Sequence, residues 1–156
     1  MARLLGRLAE LGLELPPIHP PVANYVGATV AVSAGQIWVS GEGPMWGTEC
    51  RFRGKVGLDL DLDQGRAAAR LTALNLLKQA VHALDGAADR LTGCVRLLGL
   101  VHCAPGFDQG HQVIAGAAEL MTQLFGPAGS PVVSITGAPA LPIGIATELD
   151  AIFTFR

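Results

Sequence analysis

The sequence predicts an α/β domain of the α+β kind: a mixed sheet with helices packed on one face, plus an extra helix at the N-terminus. Three observations carry that expectation. Two stretches alternate apolar and polar residues as strands do, two longer stretches repeat apolar residues at helical spacing, and hairpins are interleaved with crossover helices. The boundaries expected are an N-terminal helix and proline-rich connector over residues 1–21, then one domain over 22–156.

Taken in order, Leu4, Leu5, Leu8, Leu11 and Leu13 trace a short amphipathic helix, weakened by Gly6 and Gly12. The run Leu15-Pro16-Pro17-Ile18-His19-Pro20-Pro21 cannot continue it, because proline lacks the amide donor and clashes with the preceding turn. Val26, Ala28, Val30 and Val32 alternate, Ala34-Gly35 turns the chain, and Gln36–Ser40 is rich in strand formers, which together predict a hairpin. A loop follows through Gly47, and Arg51–Val56 is read as a short edge strand. The clearest helix spans about 63–84, with Ala67, Leu71, Leu74, Leu77, Val81 and Leu84 as its apolar stripe. Asp61 or Asp63 suits its start, and Asp85-Gly86 its stop. Leu91–His102 reads as a long buried strand, 109–125 as a second helix closed by Gly126-Pro127, and Pro131–Thr136 and Ile145–Phe155 as two last strands. Helices enough for one face of such a sheet leave the other face to be covered by another subunit.

Half of the 156 residues are hydrophobic and 15% are charged, and the mean hydropathy is +0.41. That composition buries a core rather than staying disordered. No run approaches the roughly 18 apolar residues that span a bilayer, and the opening residues lack a convincing cleavage site, so neither a membrane segment nor a secretory signal is expected. Net charge −2 gives no general attraction to nucleic acid. Cys50, Cys94 and Cys103 form no C-x-x-C and read as reduced thiols of a cytoplasmic protein.

Chemistry-bearing patterns are sparse. There is no G-x-S-x-G elbow and no G-K-[ST] phosphate loop, and His19, His82, His102 and His111 share no metal-type spacing, so no metal and no cofactor are expected. The histidines read as solvated or capping residues. His102 and Cys103 are adjacent on a strand and point to opposite faces, which keeps them from pairing. Glu148 and Asp150, two apart on the last strand, share one face, and become candidates for handling a proton if a pocket lies against them. Residues 97–155 hold no lysine or arginine. A site built only there would have no fixed cation of its own, and nothing nearby in the second half is expected to compensate. Cations would have to come from the first half, for example Arg51, Arg53 or Lys55, or from a neighbouring subunit.

Tyr25-Val26, Val39-Ser40-Gly41-Glu42-Gly43-Pro44, the helix around Ala73-Leu74-Asn75-Leu76-Leu77, and Leu141-Pro142 followed by Thr147-Glu148-Leu149-Asp150-Ala151-Ile152 together resemble the Rid (YjgF/UK114) family over about residues 22–155. The resemblance is to a divergent branch. It implies a chorismate-mutase-like fold, a homotrimer with ligand clefts between subunits, and hydrolysis of reactive enamines and imines. The endoribonuclease label (L-PSP) sometimes attached to the family gains no support from the charge pattern.

Carried over by position, Tyr25 and Glu148 stand at the family's catalytic tyrosine and glutamate. Gly41, Glu42, Val133, Ser134 and Ile135 stand at its substrate-binding positions. The family's carboxylate-gripping arginine falls on Val133, and a common asparagine on Ala115. Valine offers none of the roughly 1.5–3 kcal/mol of a charge-assisted contact. The resemblance therefore implies an apolar inter-subunit cleft for a small metabolite and an enzyme other than a standard 2-aminoacrylate deaminase. The alternatives are a non-catalytic ligand-binding or structural trimer and, more weakly, a chorismate-mutase-type enzyme, whose dicarboxylate substrate needs cations.

Overall fold

The structure, a computed structural model, describes residues 4–21 and 23–156. Its elements are α1 (Leu4–Glu10), β1 (Ala28–Ala31), β2 (Gln36–Glu42), the two-residue strands β3 (Met45–Trp46) and β4 (Glu49–Cys50), α2 (Leu62–Ala83), β5 (Leu91–His102), α3 (Gly110–Phe125), β6 (Val132–Ala138) and β7 (Thr147–Phe155). Five strands form the main sheet in the order β1-β2-β7-β5-β6. All neighbours are antiparallel except β5 and β6, the pair joined through α3. The expected mixed sheet with helices on one face is present. Residues 2 and 3 of the expected first helix, and Val22 at the expected domain boundary, lie outside the described residues.

Helix α2 begins where side chains replace missing backbone partners. The Gln64 amide donates to the Asp61 carboxylate at 2.8 Å, and the Asp61 amide donates to Gln64 Oε1 at 2.9 Å, a reciprocal capping box. It stops at Asp85 and Gly86, both left-handed, where the Gly86 amide donates back to the Val81 carbonyl at 2.9 Å. On the covered face Ile37 and Val39 of β2, Leu149, Ala151 and Phe153 of β7, and Leu97 and Val101 of β5 are buried against α2 and α3. Gly99 sits under α3, where a Cβ would meet the Ile114 side chain at 2.7 Å, so the helix settles close to the sheet only because β5 has no side chain there.

The opposite face carries no helix. Trp38 is 51% exposed and Val132 67%, and every residue of β6 except Ala138 is exposed. The short edge strand expected over Arg51–Val56 is absent: that segment makes only isolated bridges, from Arg53 to Ile145 and from Val56 to Leu60 and Cys103. The strand pairing occurs just before it, in the β3–β4 hairpin. Gly54 and Gly57, both at positive φ, bend the segment away from a ladder.

Candidate functional site

The site is built where β2 and β7 lose register. Val39 pairs with Ala151 and Glu42 with Leu149, so Ser40 and Gly41 together oppose Asp150. This bulge reverses the alternation of β2. Glu42, which an unbroken strand would turn to the open face, lies instead opposite the buried Leu149 and is itself 4% exposed. At Gly41 a Cβ would collide with Glu148 Oε1, so glycine lets the Glu148 carboxylate lie against the backbone of β2.

Helix α2 supports the bulge with a polar stripe, Thr72, Asn75 and Gln79, all buried. The Thr72 and Thr147 hydroxyls meet at 2.9 Å. Asn75 Nδ2 donates to the carbonyls of Met45 at 2.8 Å and Gly43 at 3.2 Å, pinning the loop that leaves β2. Gln79 packs against Gly27 and hydrogen-bonds Glu42.

Two cavities meet at Glu148. The inner one, of about 80 Å³, is lined by His19, Tyr25, Gly41, Glu42, Gly43, Met45, Pro142, Ile143, Ile145 and Glu148. His19 reaches into it from the proline-rich connector, and its Nε2 lies 2.8 Å from Glu42 Oε2. Neither atom has an aligned hydrogen-bond partner, so the contact is an off-axis ion or proton-sharing pair. The other ring nitrogen, Nδ1, is 3.2 Å from the Pro20 carbonyl. Burial pushes the Glu42 carboxyl up to about 7, opposed by His19 and Gln79 and reinforced by Glu148.

The outer cavity, of about 560 Å³, opens on the uncovered sheet face and is lined by residues including Tyr25, Trp38, Ser40, Gly41, Arg96, Glu148 and Asp150. Burial, and then the neighbouring Asp150, raise the Glu148 carboxyl above its ordinary range. Burial raises Asp150 too, while Arg96 opposes the rise from 3.9 Å. A half-buried carboxyl raised above its ordinary range is a better proton acceptor than a solvated one.

Tyr25, Gly41, Glu42 and Glu148 line the inner cavity together. Val133, Ser134 and Ile135 do not join them within one chain. Val133 and Ile135 pair with Leu97 and Gly99, on the side of α3, and Ile135 lines a separate cavity with Cys103 and His111. Ser134 pairs with Leu98, itself opposite Asp150. The absence of a compensating cation is also corrected: Arg96, the last basic residue before the cation-free stretch, lines the outer cavity with Glu148. His19 is neither solvated nor a cap, because the connector folds back over the site. Its signal in the sequence was slight, a lone histidine between prolines. Arg96 could have been found by parity, since Arg96, Leu98 and Leu100 alternate with the apolar Leu97 and Val101 that face the core. Among the described residues no group of three or more His, Cys, Asp or Glu could hold a metal ion.

Residues 5–154 match the family described as "YjgF/chorismate_mutase-like, putative endoribonuclease". Protein TCP17 of Trypanosoma cruzi is 34% identical over 151 residues, covering 96% of this chain and 92% of that protein. The crystal structure of Atu1372 from Agrobacterium tumefaciens, a protein of unknown function, superposes with a TM-score of 0.89 at 35% identity, covering 98% of this chain and 92% of that one. A Shewanella oneidensis structure bearing the same endoribonuclease label superposes at 0.91 with 26% identity, over 98% and 99% of the two chains. With nearly its whole length matched and these folds superposing on its own, this chain belongs to the YjgF/chorismate-mutase-like family.

Proposed function

We propose that this chain forms a homotrimer that binds a small, weakly polar metabolite in clefts between subunits and hydrolyses the carbon–nitrogen double bond of an imine, an enamine reacting as its imine tautomer, to a carbonyl and ammonia. The observation that carries the reading is Glu148, half-buried at the junction of the two cavities with its carboxyl raised toward neutrality beside Tyr25 and Gly41. In this reading Glu148 takes a proton from the attacking water and Tyr25 orders the ligand at the mouth.

The uncovered sheet face supports assembly, since Trp38 and Val132 expose apolar surface that a partner copy would bury. A neighbouring copy would bring Val133, Ser134 and Ile135 to the cleft from outside. The free thiols Cys50, Cys94 and Cys103 agree with a reducing, cytoplasmic setting. Three carboxylates around the cleft, Glu42, Glu148 and Asp150, against the single Arg96 disfavour a phosphodiester backbone as substrate. A second reading, a ligand-binding trimer without turnover, is favoured by Val133 at the position where the family's arginine would grip a carboxylate.

The test is ammonia release from a panel of carboxylate-free imines generated by a flavin amine oxidase, with wild-type protein and Glu148→Ala. Wild type accelerates release from imines with uncharged side chains, and the variant loses about 10²-fold or more of that rate. Pyruvate release from freshly generated 2-aminoacrylate stays well below that of an arginine-bearing relative. If no imine is accelerated while small ligands still bind saturably, the non-catalytic reading replaces this one.

A further inference from the structure

The inner recess contains a group that the reading above leaves unused. Glu42 is 4% exposed, its Oε2 has no aligned partner, and the recess it faces also admits Glu148. A buried carboxyl beside a cavity, whose only ion-pair partner among the described residues is one histidine, is costly to keep unless something uses it. Four groups face it: His19 from the connector, Gln79 from α2, Glu148 from β7, and Tyr25 across the recess. No lysine or arginine lines the recess.

We propose that His19 and Glu42 form a proton-donating pair at the floor of the recess, in which Glu42 delivers the proton to the ligand's nitrogen and His19, acting through Glu42, is a positioning residue. The N-terminal connector is then part of the working site. This inference rests on the hydrolytic reading and completes it, because an addition step in which nitrogen gains a proton while Glu148 takes one from water needs a second group as the donor.

The chemistry balances with one proton in the pair. The arrangement Glu-COOH with neutral histidine and the arrangement carboxylate with imidazolium hold that same proton. In the addition step the water oxygen bonds to carbon and the C=N π pair moves to nitrogen. Nitrogen takes the pair's proton, and Glu148 takes a proton from the water. The outer cavity opens to solvent, so Glu148 passes its proton to bulk water and the pair is reprotonated. In the second step the C–N bond breaks with its electrons on nitrogen, which again takes the pair's proton. The hydroxyl proton passes to Glu148, a C=O bond forms, and ammonia leaves. A recess of about 80 Å³ holds two or three small heavy groups, enough for a nitrogen end and a water.

Two measurements on the full chain test the pair. The first needs no substrate: pH titration of the side-chain carboxyl ¹³C signals in glutamate-labelled protein. One glutamate titrates at about 7, its signal is missing in Glu42→Gln, and it titrates still higher in His19→Ala, because His19 is what holds it down. A Glu42 carboxyl in the ordinary glutamate range, or one indifferent to His19→Ala, overturns the pair. The second is the ammonia assay. Glu42→Gln, which keeps the shape, lowers kcat about 100-fold with KM within about threefold and abolishes the fall in rate on the alkaline side. His19→Gln costs about tenfold and moves that fall. Active wild type with an unchanged pH profile in Glu42→Gln overturns the pair and leaves the hydrolytic reading standing. Wild type inactive on every imine sinks the hydrolytic reading, and with it this use of the pair.

Discussion

The two cavities share Tyr25, Gly41, Pro142 and Glu148 yet are made differently. The outer one lies on an uncovered sheet face and takes Trp38, Arg96, Glu148 and Asp150 from strands of the sheet. Its one cation, Arg96, is weakly paired and partly exposed to solvent. The inner one exists because of irregularity: a bulge turns Glu42 inward, and a connector that no strand or helix pattern describes lays His19 over it. Regular structure thus supplies an accessible, adaptable surface, and irregular structure supplies a desolvated one where a proton can be held. Electrostatic effects are larger in the second environment, because water no longer screens them.

That contrast is open to attack, first through the covered face both cavities stand on. Phe153 is fully buried, with Phe125 of α3 tilted against it at a centroid distance of 6.5 Å. Phe153→Ala costs about 3–5 kcal/mol in denaturant unfolding, whereas truncating the exposed Trp38 on the other face costs the single chain far less. Equal losses would mean the open face is buried even in the isolated chain.

The second effect is smaller and depends on pH. Glu42 has a folded pKa of about 7, above the ordinary carboxyl value of 4.5, so the folded state binds more protons than the unfolded state between those limits. Stability from this group is fully present below about pH 4.5 and is lost as pH rises through 7, by on the order of 3 kcal/mol. Glu42→Gln removes that dependence, so the variant gains on wild type between pH 5 and pH 8 in thermal unfolding. A parallel pair of curves would place Glu42 in contact with solvent and erase the distinction between the cavities.

The third effect concerns the wall between them. Asn75→Ala strips the Gly43 and Met45 carbonyls of their buried donor and costs about 1–3 kcal/mol. Because the same carbonyls fix the loop leaving the bulge, ligand affinity falls with it, and calorimetry on the variant reads both.

How much was legible follows the same division. The start of α2 at Asp61, one of the two aspartates that suited it, the buried run of β5 and the shared face of Glu148 and Asp150 are periodic or local signals, and they appear where the sequence puts them. Glu42 could be picked out by resemblance, but its inward turn could not. A bulge changes the parity of everything after it, and nothing in Ser40-Gly41 by itself states that one extra residue is inserted. His19 was read as solvated or capping, and a proline-rich connector has no periodicity to say which way it folds. Val133 was placed in the cleft by position alone, and register puts it on the α3 side of an edge strand.

Helix α1 buries Leu4 and Leu8, and Arg7 donates to the Gln123 carbonyl at 3.0 Å, across 116 residues of sequence. The strap carrying His19 is therefore moored to α3 as well as to the sheet. That mooring is a contact between parts of the chain 116 residues apart, so only a chain with α3 packed supplies it. A half-assembled chain would present its carboxylates to water as ordinary acids. Proton chemistry would then switch on only when the two ends of the sequence have met, which makes the site its own report of complete folding.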